Sequence, residues 1–170
     1  MSQHVYLTGF MGAGKSTVGR VLAELLGWPF VDLDASIEAQ QETSIAEIFS
    51  SRGQVGFRQL ESEALRSLDN STAMVVATGG GVLSVPENRQ WMRAHGITVW
   101  LDVPFEVVME RLGSTSQETR PLFESEPRAR ELFAERQGEY GDSDLQIEVL
   151  SSHSAAEVAV MIRDFLAENK

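Results

Sequence analysis

Gly9-Phe10-Met11-Gly12-Ala13-Gly14-Lys15-Ser16, with Thr17 directly after it, is the stretch that decides the fold. It fits G-x-x-x-x-G-K-[ST], and each fixed residue has a physical reason. Glycines let the backbone curl so that consecutive N–H groups point at phosphate oxygens. The N-terminus of the following helix adds the positive end of its dipole. Lys15 can reach β- and γ-phosphates, and the Ser16 hydroxyl can bind Mg²⁺. Gly12, Ala13, Gly14, Lys15, Ser16 and Thr17 are therefore the expected nucleotide contacts. The competing reading is a chance glycine-rich turn, and the flanks oppose it. Residues 5–8 form a short apolar run, and residues 17–26 carry helical spacing (Val18, Val21, Leu22, Leu25) that stops at Gly27. The motif points to a nucleoside triphosphate and is silent on what receives the phosphate.

Outward from the loop, strand and helix signals alternate. Residues 30–34, 74–77, 98–102 and 147–150 read as further strands. Ser44 and Glu47 form a capping pattern before a short helix that Gly53 can end, and residues 54–68 continue as another. Ser84 with Glu87 and Ser154 with Glu157 mark two more helix starts, and Pro104 suits a first helical turn. In the last helix Val158, Met161, Ile162 and Phe165 fit i, i+3, i+4, i+7. Short apolar strands separated by helices predict an α/β fold with a parallel sheet covered on both faces. Residues 113–119 break the pattern as a small polar loop between helices.

The 170 residues suit one domain, 1–170, with no linker or repeat. With 14 basic against 25 acidic residues the net charge is −11, which argues against nucleic-acid and anionic-membrane partners. An anionic substrate must then be held by a local cluster of cations. The absence of cysteine excludes disulfides, zinc-thiolate sites and cysteine nucleophiles, and suits a reducing, cytoplasmic setting.

Four further constellations carry chemistry. Asp32 and Asp34 are two apart on the expected strand, so both side chains share a face at its C-terminal end. One can organise hydrated Mg²⁺ while the other takes a proton from an acceptor hydroxyl; a solvated acid beside a helix N-cap explains them equally well. Arg58 and Glu61 are either an ordinary i, i+3 surface pair or an arginine oriented for bidentate contact with a carboxylate. Gly79-Gly80-Gly81 either lets something approach the backbone closely or forms a plain turn. Arg120-Pro121 closes the polar loop, as a phosphate-covering lid or as a solvated arginine. His4, His95 and His153 lack metal-ligand spacing.

Taken together these residues resemble the shikimate kinases, in the nucleoside-monophosphate-kinase branch of P-loop proteins. The resemblance runs through residues 9–19, Asp32-Leu33-Asp34, Gly56-Phe57-Arg58-Gln59-Leu60-Glu61, Thr78-Gly79-Gly80-Gly81, Leu101-Asp102-Val103-Pro104, Arg111-Leu112, Arg120-Pro121-Leu122, and Arg136 before Tyr140. It implies a three-layer fold with a five-stranded parallel sheet in the order 2-3-1-4-5, a helical substrate-binding region over about 33–61, and a mobile lid over about 112–124. It implies MgATP-dependent phosphorylation of the 3-hydroxyl of shikimate, on the route to chorismate and the aromatic amino acids, by a monomer. It further implies that Lys15 and Arg120 contact the transferring phosphoryl group, that Ser16 binds Mg²⁺ with Asp32 supporting it, and that Asp34 is the base. Arg58 and Arg136 would grip the substrate carboxylate beside Gly79, Gly80 and Gly81. Arg111 and the segment at His153 would lie against adenine. Between Arg136 and Tyr140 the family usually has a proline, where this chain has Gly138. A related small-molecule kinase such as gluconate kinase, and a catalytically silent nucleotide-binding regulator, are the alternative readings.

Overall fold

A computed structural model describes residues 3–113 and 125–169. Five parallel strands form one sheet in the order β2-β3-β1-β4-β5: β1 (His4–Thr8), β2 (Phe30–Asp32), β3 (Val75–Ala77), β4 (Gly96–Asp102) and β5 (Leu145–Glu148). β1 sits in the middle because all five of its residues are buried, which only a strand covered on both faces can satisfy. From β1 the chain first crosses to the edge strand β2, returns inward to β3, then crosses to β4 and β5 on the other side. That reversal places a crevice at the C-terminal end of β1, where open α/β sheets bind ligands.

The helices are α1 (Lys15–Leu26), α2 (Leu33–Gln41), α3 (Ile45–Arg66), α4 (Pro86–His95), α5 (Phe105–Gly113), α6 (Glu126–Tyr140) and α7 (Ala155–Glu168). α1 packs on α7, while α3, α4 and α6 gather around a single 3₁₀ turn at Val82–Ser84. Tyr6, Leu7, Leu22, Leu33, Leu101 and Ile162 are almost completely buried in one continuous core. In α7 the apolar stripe is Val158, Ala159, Ile162 and Leu166; Met161, expected inside, faces solvent. No helix among the described residues is long and apolar enough to cross a membrane.

Several boundaries depart from the sequence expectation. β2 ends at Asp32, and α2, for which the apolar pattern gives only Leu33 and Ile37, starts at once. Asp32 and Asp34 are therefore not two residues of one strand. Asp32 is the N-cap of α2, its carboxylate accepting from the Ala35 N–H at 3.2 Å, and Asp34 lies in the first helical turn. Ser44 and Glu47 form the capping box expected of them, as do Ser154 and Glu157. Ser84 does not cap α4: Pro86 occupies the first turn, Val85 is the N-cap, and the Ser84 hydroxyl donates to Gly81 O at 2.6 Å. The two helices expected around Gly53 run as one, kinked at that glycine, whose φ is 66°. Arg120, Pro121 and nearly all of the expected lid lie outside the described residues.

Candidate active site

A cleft of about 690 Å³ opens at the C-terminal end of the sheet. Its floor is the loop between β1 and α1. Gly12 and Gly14 hold φ values of 76° and 92° there, which let the loop curl into the start of α1. The Lys15 ammonium folds back over the loop and donates to Gly9 O at 2.7 Å and Phe10 O at 3.0 Å. The Ser16 hydroxyl donates to Asp32 Oδ2 at 2.5 Å, joining the start of α1 to the end of β2. A hydroxyl and a carboxylate side by side are hard oxygen donors of the kind Mg²⁺ accepts. On one rim, Arg111 from α5 donates to the Gly12 and Ala13 carbonyls at 3.2 and 3.3 Å. His153 lines the same end, its Nδ1 accepting from the Leu150 N–H at 3.1 Å.

The opposite end holds a denser arrangement of charge. Arg58 and Glu61 sit one turn apart on α3, with Arg58 donating to Glu61 Oε2 at 2.6 Å. Their side chains are 12% and 0% exposed, so this is not the surface pair that the spacing alone allows. Asp34 points into the same space. Burial raises the Asp34 carboxyl above the ordinary carboxylate range, with Lys15 and Arg58 opposing the shift and Asp32 and Glu38 reinforcing it. Burial likewise raises Glu61, against the pull of Arg58. Asp34 Oδ1, Arg58 Nε and Glu61 Oε1 are buried and have no hydrogen-bond partner among the described residues. Such atoms carry the desolvation penalty in full unless a ligand satisfies them.

The glycine triplet explains how so much charge fits. A methyl added at Gly79 would fall on Glu61 Oε1 and lie 3.1 Å from Asp34 Oδ1; one added at Gly81 would fall on the Arg58 guanidinium. What approaches the backbone there is the chain's own buried pair. Gly80 is different: its methyl would meet nothing nearer than 3.6 Å, from Gly9 O and Met11 N of the phosphate loop. Thr78 anchors the run by donating to Leu7 O at 2.9 Å. Arg136 reaches the cleft from α6. It is 6% exposed and donates to Glu139 Oε2 at 2.9 Å. A Cβ added at Gly138, where the family usually has a proline, would meet nothing within 4 Å, and Arg136 lines the cleft with glycine at that position.

The described residues to which the sequence assigned a binding or catalytic role line this one cleft: residues 12–17 of the phosphate loop, Asp32, Asp34, Arg58, Gly79–81, Arg111, Arg136 and His153. Arg120 lies outside the described residues. Sequence reasoning missed Glu139, although its spacing from Arg136 repeats that of Glu61 from Arg58. It also missed the apolar wall of Phe49, Leu132 and Val149, for which no chemical signature exists in the sequence.

A family model described as Shikimate kinase matches residues 11–167. A relative from Geobacter sulfurreducens, named Shikimate kinase, is 43% identical over 99% of this chain and 93% of its own. The solved structure of a shikimate kinase from Acinetobacter baumannii in complex with shikimate superposes with a TM-score of 0.92, at 38% identity, over 100% of this chain and 96% of that one. A gluconokinase from Sinorhizobium meliloti gives a TM-score of 0.61 at 18% identity, over 98% and 94% of the two chains, a likeness of fold alone. With the family match spanning nearly the whole length, and the cleft built from the same residues that carried the resemblance, the chain belongs to the shikimate kinase family.

Proposed function

We propose that this chain transfers the γ-phosphoryl group of ATP to the 3-hydroxyl of shikimate, as a cytoplasmic monomer serving aromatic amino acid biosynthesis. The observation that carries the reading is the pairing, in one cleft, of a phosphate loop with the buried Arg136, the largely covered Arg58 and the buried Glu61 carboxylate. A chain of net charge −11 has little reason to bury Arg58 and Arg136 beside a nucleotide site unless the acceptor is anionic. Arg58 and Arg136 hold the acceptor carboxylate, and the Gly79–Gly81 backbone lines its pocket. Asp34 then lies where it can accept the hydroxyl proton as the oxygen attacks phosphorus. Burial, by raising the affinity of Asp34 for a proton, makes it a stronger base than a solvated carboxylate.

At the donor end Lys15 leaves the Gly9 and Phe10 carbonyls for the phosphates, while the loop amides cradle them. Arg120 closes on the transferring group, a role supported by the family resemblance, and Arg111 and His153 flank the base. The donor set of Ser16 and Asp32 fits Mg²⁺, with Asp32 acting through water; the ion, when bound, neutralises charge on the phosphate oxygens. The substrate-binding region is about 33–61 and the lid about 112–124 of a single domain spanning 1–170.

A panel of hydroxy acids with MgATP, followed by ADP release, tests the reading. Shikimate is expected to give turnover; gluconate or a nucleoside monophosphate turning over in its place would remove it. In the same assay Asp34→Asn is expected to lower kcat by about 10²–10⁴. A variant keeping more than about a tenth of wild-type kcat would take the base role from Asp34.

A further inference from the structure

One face of α6 touches both halves of the cleft. Phe133, Arg136 and Tyr140 follow one another at i, i+3 and i+7, so they share a side of the helix. Phe133 meets Phe10 of the phosphate loop edge-on, ring centroids 5.2 Å apart. Arg136 enters the acceptor end. Tyr140 lies under the glycine run, 1% exposed, its ring 5.9 Å from that of Trp100 on β4. Its hydroxyl donates to Gly80 O at 2.5 Å. Nothing in the reaction described above uses this contact.

Gly80 is the point where the acceptor side rests on the donor side. The space beside its Cα is bounded at 3.6 Å by Gly9 O and Met11 N and at 3.7 Å by the Tyr140 hydroxyl. Gly9 O also accepts from the Lys15 ammonium at 2.7 Å. The Gly80 carbonyl and the Gly81 N–H belong to one planar peptide, so fixing the first fixes the direction of the second. Gly81 in turn packs on the Arg58 guanidinium. A bond at Gly80 O therefore sets a seam with the phosphate loop on one side and the arginine pocket on the other.

We propose that Tyr140 is a positioning residue for phosphoryl transfer: its hydroxyl holds the Gly80–Gly81 peptide and so keeps the acceptor pocket at a fixed distance from the phosphate loop. The inference rests on the acceptor reading above. Burial pushes the phenol's ionisation upward, so the hydroxyl stays a donor across the working pH range. Proximity is where such a residue counts. A misplacement of about 1 Å far from the reacting atoms can lower a rate about 10²-fold, while each substrate still binds.

The test begins with Tyr140→Phe, which removes one oxygen and keeps the ring against Trp100. Circular dichroism should show a folded protein. With shikimate, kcat is expected to fall about 10- to 100-fold, with ATP affinity unchanged within about twofold. Tyr140→4-aminophenylalanine returns an N–H donor to the same place and should recover most of the loss, which a merely space-filling ring would not do. A second arm needs no acceptor: amide hydrogen exchange in the ligand-free protein should speed up at Met11, Gly80 and Gly81 in Tyr140→Phe. If wild-type protein fails to phosphorylate shikimate, the acceptor reading falls and the exchange arm still decides the seam. A kcat within twofold of wild type, unchanged exchange at those amides, failure of the amine to restore turnover, or an unfolded Tyr140→Phe would each overturn the proposal.

Discussion

Two arginine–glutamate pairs at the same i, i+3 spacing show how little spacing says about role. On α3, Arg58 meets Glu61 at 2.6 Å with side-chain exposures of 12% and 0%; on α6, Arg128 meets Glu131 at 2.9 Å with exposures of 53% and 66%. The outer pair sits in high dielectric, where attraction is screened and two long side chains lose freedom in meeting. The inner pair has been taken out of water, and its mutual attraction alone does not repay that loss. It also leaves Arg58 Nε and Glu61 Oε1 without partners among the described residues. A fold keeps such an arrangement for what it will bind. In Arg136–Glu139, on the same helix as the exposed pair, the side chains are 7% and 27% exposed, and Arg136 lines the cleft. The α6 pairs thus differ by which side of one helix they occupy.

The sharpest way to break the comparison is Arg58→Ala. On the role proposed for Arg58, the substitution would leave a desolvated acceptor carboxylate without its partner, and kcat/KM for shikimate should fall by the equivalent of about 2–5 kcal/mol, with ATP affinity largely spared. Steady-state kinetics with an ATP titration separate the two. Equal loss for both substrates would mean that the buried pair supports the whole fold and not the acceptor pocket.

Next in size are the glycines that make room for the pair. Gly79→Ala and Gly81→Ala should each destabilise the protein by about 1–3 kcal/mol and mimic Arg58→Ala kinetically, because the new methyl displaces Glu61 or Arg58 from a packed site. Gly80→Ala, with its nearest neighbours at 3.6 Å, should stay within roughly 0.5 kcal/mol of wild type. Urea denaturation of the three variants checks the ranking, and equal losses would show that backbone freedom rather than clearance selects these glycines.

The fold was largely legible because its main signals are local. The phosphate loop announces a strand before it and a helix after it, and the capping boxes at Ser44 and Ser154 mark helix starts through side-chain chemistry that the structure reproduces. α2 was not legible: nine residues with two buried apolar positions give no stripe to read. The placement of Asp32 and Asp34 was misread for the same reason, since the strand pattern runs into a helix that Asp32 itself starts. At the site, residue identity was readable and environment was not. Nothing in Arg-x-x-Glu distinguishes residues 58–61 from 128–131, because burial is set by strands and loops far along the chain. The glycine triplet held that information indirectly, and its meaning appears only once Glu61 and Arg58 are seen against it.

A pH experiment sharpens the contrast further. Burial raises the Glu61 carboxyl, so the folded state holds a proton at pH values where the unfolded chain has released it. The stability this contributes is fully present below the ordinary glutamate value of about 4.3 and is lost as pH rises through the raised one. Glu61→Gln cannot ionise and escapes that loss. Relative to wild type, its Tm should therefore climb as pH is taken from about 4 to neutrality. Parallel Tm–pH curves for wild type and Glu61→Gln would mean that Glu61 pairs as comfortably as a surface glutamate.

The smallest effect belongs to the outer pair itself. Glu131→Ala removes an ion pair whose partners are both more than half exposed, and water replaces the lost contact on each side. The alanine also has the higher intrinsic helix propensity, which offsets part of what the pair contributed. The expected change is about 0.2–0.5 kcal/mol or less in stability, shrinking as salt is added, with kcat and both KM values at wild-type levels. Thermal melts at low and high salt, beside the standard assay, measure all of this. The Arg128 side chain is 53% exposed, whereas Arg58, at 12%, would lose a contact to Glu61 with little water to replace it. A loss in kcat/KM approaching that of Arg58→Ala would show that the outer face of α6 is coupled to the cleft as strongly as the inner one. The distinction between a pair that stabilises a helix and a pair that waits for a substrate would then fail at the place where burial separates them most clearly.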